Sequence, residues 1–124
     1  MLQISEELKQ NITEIVTRIR EIERVVGRMD ESDSGRIAGV SCAYTEIALL
    51  AFSASDELSG LEGAEDRLLR NELSSALWQI ALHCIEIQEW TAPAMLKGNV
   101  RYIGQHCSGI VRLLGIPEPV LKKS

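Results

Sequence analysis

The sequence lacks the residue arrangements that specify the common enzyme chemistries. It has no Ser/His/Asp arrangement, no glycine-rich loop between a strand and a helix, and no Cys-x-x-Cys pair. It therefore gives no direct sign of a hydrolase triad, a nucleotide cradle or a thiol redox motif. Aromatic residues are also scarce, with two Trp, two Tyr and one Phe. This excludes a row of exposed aromatic side chains of the kind on which single-stranded nucleic acid stacks.

Long apolar runs are missing as well. The longest, around residues 47–52 and 76–85, fall well short of the roughly 20 residues that a membrane span needs. The first residues also lack the basic and apolar segments of a secretory signal. The 124 residues, 45% of them hydrophobic, suffice for one core. We therefore expect residues 1–124 to form one soluble, cytoplasmic domain.

Cysteine is limited to Cys42, Cys84 and Cys107, an odd number, and each lies within a helical apolar pattern. This usage favours reduced, buried thiols over a disulfide framework.

Charge is distributed unevenly along the chain. Residues 1–91 contain eight basic and seventeen acidic residues, whereas residues 92–124 contain five basic residues and one acidic residue. The simplest interpretation is that the basic last helix is held in the fold by electrostatic attraction to the acidic rest of the chain. The overall acidity disfavours a nucleic-acid partner, and only the basic C-terminal helix leaves that partner open.

What the sequence does contain is helical periodicity. Apolar residues recur at steps of three and four, which predicts helices over 5–29, 35–58, 64–90 and 93–114 and a short C-terminal tail over 117–124. Ser5 is a plausible N-cap, Pro93 suits a first helical turn, and Gly115 marks a helix end. Short connections imply antiparallel neighbours, so the predicted fold is an all-α, up-down antiparallel four-helix bundle.

Four glycines carry more specific expectations. Gly60 follows the second helix, where a left-handed residue often ends a helix. Gly98 and Gly109 lie eleven residues apart and so share a face of the last helix, which indicates close approach of a neighbouring helix. Gly104 between them is expected to allow a local kink.

The two central helices are apolar on more than one side. The third helix carries one apolar stripe toward its own bundle and a second stripe that includes Trp78, Leu82 and Ile85. Large exposed apolar patches are rare on monomers, and tryptophan is enriched at interface centres. We therefore predict that these three residues form an interface, most simply in a homodimer. The alternative is that Trp78 packs under the first or last helix of its own chain.

A repeated His-Cys dipeptide raises the possibility of a metal site, because with Cys42 it gives five possible soft-metal ligands: His83, Cys84, His106, Cys107 and Cys42. If the third and fourth helices are antiparallel about residues 91–92, however, His83 lies level with residue 100. The two dipeptides are then roughly 10 Å apart along the bundle. They cannot share one zinc ion, whose ligands lie ~2.0–2.3 Å away, so we favour buried cysteines with histidines at the core edge.

One short motif resembles a known enzyme family. Arg101 is followed by four residues and then by His106, which resembles the Arg-x4–6-His signature of HEPN ribonucleases, small helical bundles that often dimerise so that their motifs meet. The resemblance implies that Arg101 would bind the scissile phosphate and that His106 would act as general acid or base. It covers six residues. On a straight helix two residues five apart point about 140° apart, so a kink at Gly104 would be needed to bring them together.

The leading hypothesis is thus a non-enzymatic interaction protein, adaptor or regulator, that acts through homo-oligomerisation and binding of a protein partner, without a cofactor. Two alternatives stay open: the HEPN-like ribonuclease, and a bundle that binds a metal or a small ligand.

Overall fold

A computed structural model describes residues 4–30, 35–61 and 66–121. These residues form four helices, α1 (Glu6–Gly27), α2 (Ile37–Ser59), α3 (Arg67–Ile85) and α4 (Pro93–Leu114), and the same ranges contain no strand. Each helix packs against the next in the chain, and α4 returns to pack against α1. The predicted all-α four-helix bundle is confirmed.

Side-chain hydrogen bonds show that neighbouring helices run in opposite directions. Near the start of α2, Ser41 donates to the carbonyl of Ile87, just beyond the end of α3, at 3.1 Å. Near the end of α2, the hydroxyls of Ser55 and Ser74 lie 2.8 Å apart, and Ser74 is near the start of α3. These pairs fix α2 and α3 as antiparallel, and α2 packs more extensively on α3 than on α1.

The core consists of the apolar positions that the periodicity predicts. Every predicted seam residue of α1, α2 and α4 is buried. These residues are Leu8, Ile12, Ile15, Ile19, Ile22, Val26 and Met29, then Ile37, Val40, Tyr44, Ile47, Ala51, Ala54 and Leu58, then Leu96, Val100, Ile103, Cys107, Ile110 and Leu114. Burial of one large aliphatic side chain contributes about 1.5–3 kcal/mol, so these seams supply the main driving force for folding.

Several predicted helix ends are present. The Ser5 hydroxyl accepts from the N–H of Leu8 at 3.1 Å, Pro93 opens α4, and Gly115 closes it in the left-handed region with φ 64°. The prediction for Gly60 is wrong, because its φ is −83°. Its N–H donates to the carbonyls of Asp56 and Glu57, so the chain leaves α2 through a right-handed turn that needs no positive φ.

The predicted end of the third helix at residue 90 is also wrong, because α3 ends at Ile85. Ile87 is buried although it lies outside the helix. The chain turns there, and the N–H of Gln88 donates to the Thr91 hydroxyl at 2.9 Å. Apolar periodicity continued past the turn because Ile87 reaches the core from the connection. The predicted start at residue 64 lies outside the described residues.

The glycines of α4 do not have the roles expected of them. The helix is unbroken from Pro93 to Leu114, so Gly104 does not interrupt it. A Cβ at Gly98 or Gly109 would meet nothing within 4 Å, so close helix approach does not explain these two. A Cβ at Gly104, by contrast, would lie 2.6 Å from a carboxylate oxygen of Glu23 on α1. Gly104 therefore makes room for a side chain of α1.

That side chain belongs to a polar cluster that joins α1 to α4. The Arg20 guanidinium donates to Glu23 at 2.7 Å, to the carbonyl of Gly104 at 3.2 Å and to the Ser108 hydroxyl at 3.0 Å. It also donates twice to Glu118, at 2.8 and 3.1 Å, in the segment after α4. These bonds use all five N–H groups of the guanidinium. Arg20 thus fixes α1, α4 and the following segment to one another.

By length and composition alone, α2 could cross a membrane, with a mean hydropathy of 1.5 over its most apolar window. The core helix of a soluble protein meets the same criterion, and one side of α2 is the centre of this core. A soluble protein is therefore plausible, and the cytoplasmic location stays a prediction.

Candidate interaction surface

The sides of α2 and α3 that face away from the bundle expose several large apolar residues, and we call this surface the outer face. On α2 it contains Leu49, which is 66% exposed, and the half-buried Phe52. On α3 it contains Trp78 and Ile85, 48% and 47% exposed, with the half-buried Leu82. Steps of three and four residues place each set on one side of its helix. Ala81, which lies between Trp78 and Leu82 in the sequence, is buried and does not belong to the outer face.

Trp78 has a fixed partner on α2. Its ring contacts the ring of Phe52 edge to face, with centroids 4.7 Å apart and an interplanar angle of 71°. Trp78 therefore packs on α2 and not under α1 or α4, so the alternative that its own bundle buries it is not what the structure shows. A side chain held in place before binding loses less entropy on association than a free one.

Charge is absent from the centre of the outer face. The exposed line along α2 consists of small or neutral residues, namely Ala38, Cys42, Thr45, Leu49 and Ser53. The corresponding line along α3 consists of Asn71, Ser75, Trp78, Leu82 and Ile85, likewise without charge. Glu46 is exposed one turn from Cys42 and Leu49, at the edge of this line, where its carboxylate accepts a hydrogen bond from Arg18 of α1. The outer face thus offers a partner apolar contacts and no ion pair at its centre.

The five candidate metal ligands do not form one cluster. Among the described residues, no three or more His, Cys, Asp or Glu side chains lie close enough together to hold an ion. Cys84 and Cys107 are buried, whereas Cys42 is exposed on the outer face, contrary to the expectation that all three thiols are buried. Burial raises the pKa of Cys84 and of Cys107 to about 12. Both therefore stay protonated at neutral pH, and thiols in that form are poor metal ligands.

The two histidines flank one tyrosine between α3 and α4. The Tyr102 ring lies 4.2 Å from the His83 ring and 4.7 Å from the His106 ring, measured between centroids. His83 Nδ1 is 2.8 Å from the carbonyl of Gln79, a geometry in which Nδ1 donates. Burial, and then the charge of His83, lower the pKa of His106. The Tyr102 ring is tilted by 34° from the His83 ring and meets the His106 ring edge to face, at 73°, so the tyrosine separates the two imidazoles.

Arg101 and His106 are not brought together within one subunit. Arg101 lines a hollow beside Glu23 and Gly27 of α1. His106 lines a different hollow, against Glu72 and Ala76 of α3. Because α4 is unbroken between them, the two side chains project toward different neighbouring helices. The ribonuclease interpretation required the two side chains to meet, and within one subunit they line different hollows.

Comparisons with protein-family models, with curated proteins and with solved structures found no match for this chain.

Two parts of these arrangements were missed from the sequence: Phe52 beneath Trp78, and Tyr102 between the histidines. Phe52 lies three residues after Leu49, on the same side of α2. That spacing is a signal by which it could have been assigned to the outer face.

Proposed function

We propose that the protein works by self-association, with the outer face of one subunit packed on the outer face of a second copy. The observation that carries the proposal is the half-exposed Trp78, held by Phe52 at the centre of an uncharged apolar surface. In this proposal the chain is a non-enzymatic interaction protein, and regulation or scaffolding follows from the pairing of two bundles.

The size of the outer face supports a second copy as its occupant. Helices α2 and α3 contain 23 and 19 residues, so their common outer side is about 30 Å long at 1.5 Å per residue. Two neighbouring helices are about 20 Å wide, which gives an area of about 600 Å². A standard interface takes about 800 Å² from each partner. The face is therefore of the right order for a stable dimer.

Its chemistry supports the same occupant. In a two-fold dimer each surface meets itself. A surface without charge at its centre can do so without bringing like charges together, whereas a charged surface could not. Trp78 and Ile85 of the two subunits would then form the water-excluded centre that dominates binding energy in such interfaces.

The test is the mass in solution of Trp78→Glu, with Trp90→Glu as the matched control. Trp90 is 77% exposed and lies in the connection between α3 and α4, outside the outer face. Loss of a central anchor costs about 2 kcal/mol or more, so Trp78→Glu should weaken dimerisation about 30-fold or more. Trp90→Glu should behave as the wild type.

Sedimentation equilibrium gives the masses, and circular dichroism checks that each variant keeps its helices. A folded Trp78→Glu variant with an unchanged monomer–dimer equilibrium would overturn the proposal, as would a wild-type protein that stays monomeric at high concentration. The second result would point to a different protein as the occupant of the outer face.

The ribonuclease alternative gains no support from the positions of Arg101 and His106. RNA incubated with wild type, Arg101→Ala and His106→Ala separates the two classes of function. If the protein only self-associates, no RNA cleavage should depend on Arg101 or His106. Cleavage by the wild type that is lost in both variants would favour the ribonuclease.

A further inference from the structure

A second surface lies on the other side of α2, in the groove between α1 and α2. The groove has a volume of about 680 Å³. Four apolar residues form its floor: Ile22, Val25, Ala43 and Ile47. Val25 is 41% exposed there, so the floor is not closed by the bundle itself. This groove is separate from the outer face, which lies where α2 adjoins α3.

The walls of the groove contain few hydroxyls that could bind a polar ligand. The hydroxyl of Thr13 donates to the carbonyl of Lys9, and that of Thr17 donates to the carbonyl of Thr13, both at 2.8 Å. Because their own helix uses these hydroxyls, the groove favours an apolar surface in its floor over a sugar or another polyol.

The rim of the groove is acidic. Glu14 and Glu21 line it, and Glu46 stands at its α2 edge, bound to Arg18 at 3.1 Å. Arg18 is the one basic residue in the lining and also donates to Glu14, at 3.0 and 3.2 Å. The lining thus has two carboxylates and one guanidinium, and Glu46 outside it shares that guanidinium with Glu14. The rim is therefore negative, and the complementary partner carries positive charge.

The shape favours an elongated occupant. On α1 the lining runs from Gln10 to Val25, about 22 Å at 1.5 Å per residue, and on α2 it runs from Ala43 to Ile47, about 6 Å. Divided by the length along α1, the volume of the groove gives a mean cross-section of about 30 Å². That cross-section admits a row of side chains and not a helix backbone, which would stay outside, between the acidic rims.

We propose that this groove binds a basic amphipathic helix, with the helix's apolar row on the floor and its lysines or arginines against Glu14, Glu21 and Glu46. The mode is that of a helix laid in a groove, in which residues at steps of three and four act as anchors. The proposal is independent of self-association, because it uses different residues of α2.

The experiment measures fluorescence anisotropy of a labelled peptide of leucine and lysine, roughly eighteen residues long, with leucines on one helical face. Two control peptides accompany it, one with glutamate in place of every lysine and one with the leucines scrambled. Three variants are compared with wild type: Glu21→Lys and Ala43→Phe in the groove, and Glu89→Lys, an exposed position in the connection after α3 with the same change of charge.

Wild type should bind the amphipathic cationic peptide and neither control. Glu21→Lys and Ala43→Phe should each raise the Kd about tenfold, the first by charge and the second by filling the floor, and Glu89→Lys should raise it less than about twofold. Equal weakening by Glu89→Lys and Glu21→Lys would overturn the proposal, since any acidic surface would then serve. Equal binding of a control peptide would also overturn it.

If Ala43→Phe does not fold, methyl NMR of the wild-type protein with the peptide can still locate the binding site. The peptide should shift the methyl signals of Val25 and Ile47 more than those of Leu82 and Ile85. The opposite order would overturn the groove as the binding site and would identify the outer face as the surface that captures helices. Unchanged dimerisation in Trp78→Glu, together with peptide binding at the groove, would overturn the proposed function alone.

Discussion

Alanine substitutions at the three glycines of α4 should change stability in opposite directions. At Gly98 and Gly109 a Cβ has open space around it, so the gain in helix propensity, about 0.5–1 kcal/mol, is retained. Each substitution should therefore raise the free energy of unfolding by that amount. For a domain of this size the corresponding rise in Tm is roughly 2–4 °C.

At Gly104 the gain in helix propensity is outweighed by a clash of the new Cβ with Glu23. The new Cβ would lie 2.6 Å from an oxygen and 3.0 Å from the carboxyl carbon of Glu23, so the carboxylate must move away from Arg20. The Arg20–Glu23 bond is 2.7 Å long, and both side chains are less than one third exposed. A hydrogen bond between charged groups contributes about 1.5–3 kcal/mol. Gly104→Ala should therefore lower the free energy of unfolding by about 0.5–2 kcal/mol.

Urea unfolding followed by circular dichroism measures all three variants. The mechanism predicts a further result: in a Glu23→Ala background, where the obstructing carboxylate is gone, Gly104→Ala should become stabilising. A double-mutant cycle isolates that coupling. If Gly104→Ala stabilises the protein as much as Gly98→Ala, or if its effect is the same with and without Glu23, the account of Gly104 given above is wrong.

Two further predictions concern titratable side chains. Because the pKa of His106 is lowered from 6.5 in the folded protein, the unfolded chain takes up a proton first on acidification. The free energy of unfolding should then fall as the pH drops below about 6.5. His106→Gln should reduce the slope of the free energy of unfolding against pH, measured by urea unfolding between about pH 5 and pH 8. An equal slope in the variant would contradict this. Of the three thiols, only Cys42 is exposed, so a disulfide reagent should react with one equivalent in the native protein and three in denaturant. Rapid native reaction of Cys84 or Cys107, each with a pKa raised to about 12, would refute their burial.

The bundle could be predicted from the sequence because each helix needs one apolar side, and a period of 3.6 residues marks that side without reference to its neighbours. The exposed position of Trp78 followed from the same reasoning. The end of α3 did not, because Ile87 is buried from a connection and periodicity cannot distinguish a connection from a helix.

Contacts between distant parts of the chain lay beyond sequence reasoning. Arg20 and Glu118 are 98 positions apart, and nothing in either segment indicates that one guanidinium will bind both Glu23 and Glu118. The contact of Phe52 with Trp78 depends likewise on how far α3 is displaced along α2. The groove between α1 and α2 reflects how these helices are spaced, which the pattern of each helix alone does not contain.

The hydroxyls between α2 and α3 have an effect that reaches the solvent. Ser55 is buried, and its hydroxyl lies 2.8 Å from that of Ser74, which also lies 3.2 Å from that of Ser59. Sliding α3 along α2 by one turn would separate these hydroxyls from one another. Each buried hydroxyl left without a partner would cost about 1–3 kcal/mol. The same slip would carry Trp78 past Phe52. Ser55, Ser59 and Ser74 thus set the position of α3 along α2, and with it the place where the indole of Trp78 is presented to a second molecule.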